Sequence, residues 1–196
     1  PGERRGLHTH GGTETAVAGS LAAGEAGVRQ VQGTLSGLGE RCGNANLTAL
    51  IPTLALKAPW CERFETGVSA GALEGLTRTS RMLDETLNRV PRRQAAYVGA
   101  SAFAHQAGLH ASAILKDPAT YEHVDPARVG NARVVPMSNQ AGLSNLRGRL
   151  AEAGLTVARD DPALPRILEE VKAREADGYS YDTAQASFEV LARRAL

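Results

Sequence analysis

The 196-residue chain carries 22 Lys+Arg against 21 Asp+Glu, a formal net charge of +1, which gives no electrostatic reason to expect nucleic acid or an anionic membrane surface. Apolar residues make up 42% and aromatics only 4%, so Ala, Leu and Gly carry a composition suited to helices and tight βα turns rather than a β-sandwich. The two cysteines, Cys42 and Cys61, form no disulfide framework, and no apolar run reaches membrane-spanning length; a reducing cytoplasm is the expected location.

In chain order, RGLHTH (5–10) is a short strand candidate. TETAVAGSLAAGEAGV (13–28) is expected to be a helix with Ala16, Val17, Leu21 and Ala22 on one face, closed by Gly27. VRQVQGTL (28–35) has strand character, SGLGERCGN (36–44) is a glycine-rich loop, and NLTALIPTLALK (46–57) resumes as a helix with Asn46 at its N-cap. Strand, helix, strand and helix joined by loops this short indicate parallel βα units. Beyond about residue 65 that alternation stops. A helix is expected over 70–90, with Leu73, Leu76, Leu83, Leu87 and Val90 on one stripe and Pro91 ending it. Another is expected over 102–116, interrupted near Gly108, followed by a loop with two Asp-Pro pairs over 116–131. The last third is helical. Leu143, Leu146 and Leu150 share a face, Asp161 caps a helix lined by Leu164, Ile167, Leu168 and Val171, and Asp182 with Gln185 forms a capping box before Phe188 and Leu191.

Three constellations could carry chemistry. In a strand, His8 and His10 point to the same face, so both imidazoles can meet one metal ion; two surface histidines at a strand end is the alternative. In GLGERCGN (37–44) the glycines permit sharp presentation of Glu40, Arg41 and Asn44, or form a solvated turn. His105 and His110 are five residues apart, not one helical face, and Tyr121 and His123 follow in the loop. Cys42 and Cys61 lack ligand spacing and are expected to be inert buried thiols.

HTHGGTETAVAGSLAAGEAGVRQVQGTLSGLGERCGNANL (8–47) resembles a run of motifs shared by the 2-isopropylmalate, homocitrate and citramalate synthases. Those motifs are H-x-H-N-D, A-V-A-N-S-L-A-A, V-Q-G-T and G-x-G-E-R-x-G-N-A-N-L, with Gly11-Gly12 here in place of the Asn-Asp. SAFAHQAGLHASAILKDPATYEHVDPARVGN (101–131) resembles the same family's linker subdomain, and the likeness continues through SNQAGLSN to ASFEVLARR. The linker wording is most similar to the citramalate synthase branch. The resemblance implies the last strands and helices of a metal-dependent (β/α)8 barrel in residues 1–65 and all-helical linker subdomains in 66–196. It implies condensation of acetyl-CoA with a small 2-oxo acid, pyruvate giving citramalate, in branched-chain amino-acid synthesis. By match to the motifs, His8 and His10 are ligands of a divalent metal (Mn, Zn or Mg), Asn44 lies in the metal's immediate surroundings, and Glu40 helps to build that pocket. His110 and Tyr121, eleven apart, match the acid/base pair that reaches into the partner's barrel in a homodimer, with His105 the weaker candidate. The chain opens on Pro1, a few residues before the His-x-His, and the segment bearing the family's remaining metal ligand is expected upstream. The alternatives are a 2-isopropylmalate or homocitrate synthase and, from a different class, a non-catalytic helical dimerisation fragment.

Overall fold

The computed structural model describes residues 5–105, 108–134, 142–181 and 184–196. Strand β1 (Gly6–His8) and strand β2 (Gln30–Gln32) pair in parallel, Gly6 with Gln30 and His8 with Gln32. Parallel neighbours need a crossover, and helix α1 (Ala16–Glu25) supplies it. The helix starts later and stops earlier than the apolar pattern indicates: Thr15 makes no side-chain cap, and Gly27, at φ +103°, turns the chain out. Segment 44–46 then runs beside the ends of both strands. Ala45 N donates to Thr9 O at 3.1 Å, while Thr34 N donates to Ala45 O at 3.0 Å and Ala45 is fully buried. Helix α2 (Leu47–Leu56) follows, its Asn46 cap realised through Thr48 N–H donating to Asn46 Oδ1 at 3.0 Å.

The expected helix over 70–90 is two helices, α3 (Ala70–Leu73) and α4 (Leu76–Thr86). They break because another segment packs on the junction. Thr77 Oγ1 donates to Val129 O at 2.7 Å, and a Cβ on Gly130 (φ +67°) would lie 1.9 Å from Glu74 O. Leu73 and Leu76 are buried there, but Leu87 is half-exposed and Val90 is 92% exposed, so the proposed apolar stripe ends before them.

The chain divides into two compact units, Pro1–Ala102 with Val124–Ala132, and Phe103–His123 with Arg133–Leu196. In the second, residues 103–105 are not helical, and Ala104 forms a parallel bridge with Val134. Val134 N donates to Phe103 O at 3.0 Å and His105 N to Val134 O at 2.9 Å, a pairing that outcompetes the local helical pattern. Helix α5 therefore begins at Gly108 and ends at Lys116. Each Asp-Pro pair opens a short 3₁₀ turn, Pro118–Thr120 and Pro126–Val129, whose first free N–H is capped by Asp117 or Asp125.

Helices α6 (Leu143–Glu152), α7 (Ala163–Ala176) and α8 (Gln185–Ala195) enclose the core of the second unit. Leu146, Leu150, Leu164, Ile167, Val171 and Phe188 are at most 1% exposed, and Leu168 and Leu191 pack at the edge. Leu143 is 42% exposed and lies outside that face. Asp161 Oδ1 accepts from Ala163 N–H at 2.8 Å, as its capping position requires. Asp182, the expected partner of Gln185, and most of SNQAG lie outside the described residues. No helix among the described residues is long and apolar enough to cross a membrane.

Candidate active site

Strand β1 carries His8, and His10 follows just beyond its end, where it bridges to Asn44. The two imidazole rings lie 4.9 Å apart, edge to face, so the same-face expectation for i and i+2 holds although the strand stops at His8. Both are exposed. Asn44 is held on both sides: its backbone N–H donates to Gly37 O at 3.3 Å, and its Nδ2 donates to Leu38 O at 3.0 Å. Its Oδ1 is buried and has no hydrogen-bond partner. A buried acceptor without a donor costs free energy, on the order of 1–3 kcal/mol, and such an atom is placed to accept a ligand.

Glycines make this geometry possible. Gly43 has φ +81°, and a Cβ there would sit 1.9 Å from Gly37 O. Gly11 N donates to Gly43 O at 2.8 Å, and a Cβ on Gly11 would approach Cys42 O to 2.8 Å. The glycine at position 11 thus lets the 36–44 loop close against β1. Glu40 stands apart from this closure: its carboxylate is 82% exposed and pairs with the adjacent Arg41 at 3.1 Å. Cys42 and Cys61 are both exposed, which corrects the expectation of buried thiols; Cys42 sits on the turn that Gly39 and Gly43 bend outward, Cys61 on a surface 3₁₀ turn. Among the described residues, no three His, Cys, Asp or Glu stand close enough to hold a metal ion. The available donors here are two imidazoles and one amide oxygen. They fit part of a borderline-hard divalent metal's coordination shell rather than the whole of it.

Asn44 also lines a cavity of about 620 Å³ in the first unit. Arg81, Arg89, Arg92 and Arg93 stand around it, with the carboxylates of Glu14, Asp84 and Glu85. The run Arg89-Val90-Pro91-Arg92-Arg93 carries no periodicity, and so the sequence offered no signal beyond its charge.

The second unit brings His110 and Tyr121 together. Their rings lie 4.2 Å apart with planes tilted by 33°, the imidazole half-buried on α5 and the phenol 44% exposed at the end of a 3₁₀ turn. Beside them lies a group that sequence reasoning missed. The Glu122 carboxylate, 2% exposed, accepts from Arg133 Nε and, at 2.7 Å, from Arg133 Nη2. His105 Nε2 stands 3.5 Å from Glu122 Oε1, an ion-pair distance rather than a hydrogen bond. The only sequence signal was a carboxylate between Tyr121 and His123 in a loop.

Burial lowers the His105 pKa below its ordinary 6.5; Glu122 opposes this, and Arg133 and His110 reinforce it. With the folded value below the unfolded one, the folded state binds fewer protons. The stability contribution is therefore complete above 6.5 and is lost as the pH falls through the folded value. Urea unfolding of the second unit between about pH 7.5 and 5 is expected to show stability declining with acidification. His105→Gln should flatten that decline; an identical pH slope in the variant would refute the assignment.

Comparison with known proteins fits both halves. Residues 4–79 match the family model HMGL-like, and residues 97–178 match Homocitrate synthase post-HMGL domain-like. The HMGL-like family is one of (β/α)8 barrels. The chain is 47% identical over 192 residues to an (R)-citramalate synthase of Synechocystis, covering 97% of this chain and 34% of that protein. It is 44% identical over 189 residues to an (R)-citramalate synthase of Aquifex aeolicus, covering 96% and 35%. A 2-isopropylmalate synthase of Methylacidiphilum infernorum is 38% identical over 156 residues, covering 79% and 30%. The chain thus spans about a third of the length of the curated relatives it matches. It belongs to the citramalate, 2-isopropylmalate and homocitrate synthase family.

Proposed function

We propose that this chain forms part of a metal-dependent acyltransferase that condenses acetyl-CoA with pyruvate to give citramalate, in branched-chain amino-acid synthesis in the cytoplasm. The observation that carries the proposal is the convergence of the His8 and His10 rings, 4.9 Å apart, with Asn44, bridged to His10 and bearing a buried, unpartnered Oδ1. Identities of 39–47% to citramalate synthases, against 36–38% to the isopropylmalate and homocitrate synthases, favour pyruvate as the 2-oxo acid. Residues 1–65 would be the closing strands and helices of the barrel and 66–196 the helical linker subdomains, an assignment supported by the parallel β1–β2 pair and the two matched family models.

In this reading His8 and His10 would hold a divalent metal (Mn, Zn or Mg), with Asn44 in its immediate surroundings and further ligands supplied from outside these residues. The bound metal would supply polarisation of the 2-oxo acid's ketone. The arginines around the neighbouring cavity suit the phosphates of acetyl-CoA, since guanidinium forks bind phosphate oxygens bidentately. His110 and Tyr121 would move protons: the imidazole takes one from, or returns one to, the reacting carbon or oxygen, and the phenol orients it. They would act in the partner's barrel of a homodimer. Glu40, exposed and paired with Arg41, would help to build the metal's pocket.

With two imidazoles and one amide available among the described residues, isothermal titration of this chain with Mn²⁺ or Zn²⁺ should give weak binding that His8→Ala abolishes. Tight binding that survives His8→Ala would remove the metal assignment.

A further inference from the structure

Among the described residues, the ring contact of the Tyr121 phenol is with His110 on α5, and Tyr121 is 44% exposed. A half-exposed phenol at the end of a 3₁₀ turn has free rotamers to explore, so its register against the imidazole must be set by the backbone that carries it. That backbone is anchored from the two residues that follow. The Glu122 side chain is buried and forked by Arg133, and His123 stacks on Phe103 with ring centroids 5.5 Å apart and planes within 4°. Phe103 is itself 1% exposed and is tied by its carbonyl to Val134, next to Arg133. Residues 103–105 and 133–134, paired with each other through Val134, thus hold the Glu122 and His123 side chains.

The Glu122 carboxylate is buried while the Arg133 side chain is 37% exposed, and the cost of taking the carboxylate out of water offsets much of what the pair could add to stability. What the Glu122–Arg133 pair provides is direction. The guanidinium fork admits the carboxylate in one orientation, and the His105 ring faces the same oxygen at 3.5 Å. We infer that Glu122 is the positioning residue of the His110–Tyr121 pair: clamped by Arg133 and faced by His105, it fixes the turn that sets the phenol against the imidazole. This rests on the acid/base reading of His110 and Tyr121 for its consequence in catalysis, but not for its geometry.

The test compares Glu122→Gln, whose amide oxygen still accepts from Arg133, with Glu122→Ala, which removes the carboxylate that accepts from Arg133 Nε and Nη2. In the 196-residue chain, ring-to-ring nuclear Overhauser contacts between His110 and Tyr121 should persist in the Gln variant and vanish in the Ala variant. In the complete enzyme, Ala should lower kcat by about 10- to 100-fold with both KM values unchanged, as losses of an orienting partner typically do, while Gln retains most of the turnover. Should the Ala variant misfold, the double variant Glu122→Leu with Arg133→Leu removes the pair without leaving a buried charge and should show the same loss of ring contact. Ring contacts and kcat that survive in the Ala or the double variant would overturn the inference. So would equal losses of turnover in Gln and Ala with the ring contacts intact, which would make Glu122 a proton carrier. If His110→Ala itself left turnover unchanged, the acid/base reading would fail, and the ring contacts would still decide whether Glu122 positions the pair.

Discussion

Replacing His110 by Ala in the complete enzyme should lower turnover by about 10²–10⁴-fold, the usual contribution of a general acid or base, with metal content unchanged. The imidazole is half-buried on α5 and its ring is 4.2 Å from Tyr121. Removing it takes away a proton-transfer group but none of the donors around His8. His8→Ala should instead lose metal and activity together. Because the two histidines belong to different compact units, and the proposed homodimer places one subunit's linker in the other's barrel, mixing the two inactive variants should restore part of the activity. A mixed dimer has one intact His8 site facing one intact His110. If subunits exchange, shown by mass measurement, and no activity returns, the arrangement across the dimer is wrong.

Phe188→Ala should cost about 3–5 kcal/mol, enough to unfold the second unit at moderate temperature given typical stabilities of roughly 5–15 kcal/mol. The ring is fully buried on α8, meets Tyr181 edge-on at 6.4 Å and lies beneath the Arg149 guanidinium at 5.8 Å. Its neighbours Leu146, Leu164 and Ile167 come from two other helices, which cannot all collapse into the void. Val190→Ala, two residues on and 48% exposed, should stay within about 0.5 kcal/mol. Urea unfolding followed by helical circular dichroism measures both. A Phe188→Ala loss below about 1 kcal/mol would show that α8 is not part of this core.

Features with local physical causes were legible before the structure. Asn46 and Asp161 cap helices because the side-chain oxygen and the N–H that it accepts from lie two residues apart. His8 and His10 share a face because a strand repeats every second residue. The buried line Leu164, Ile167, Val171 follows the helical period. The His110–Tyr121 contact was legible only through family resemblance, since nothing local dictates it. The misses are non-local. Residues 103–105 look helical but pair with Val134, about thirty positions away. The break between α3 and α4 is imposed by Val129 and Gly130 from a distant loop. Leu87 and Val90 continue a stripe that has no partner surface among the described residues of their unit. Glu122 and Arg133 meet across eleven residues of aperiodic chain, so only the fold could bring them together.

In the proposed function, His8 and His10 hold the metal of a synthase that joins acetyl-CoA to pyruvate. The most direct measurement is release of free CoA thiol by the complete enzyme, with the product identified by mass. Thiol release and citramalate should both require acetyl-CoA, pyruvate and a divalent metal, and His8→Ala should abolish them. Undiminished turnover in His8→Ala, or no condensation with pyruvate in the metal-loaded enzyme, would contradict it.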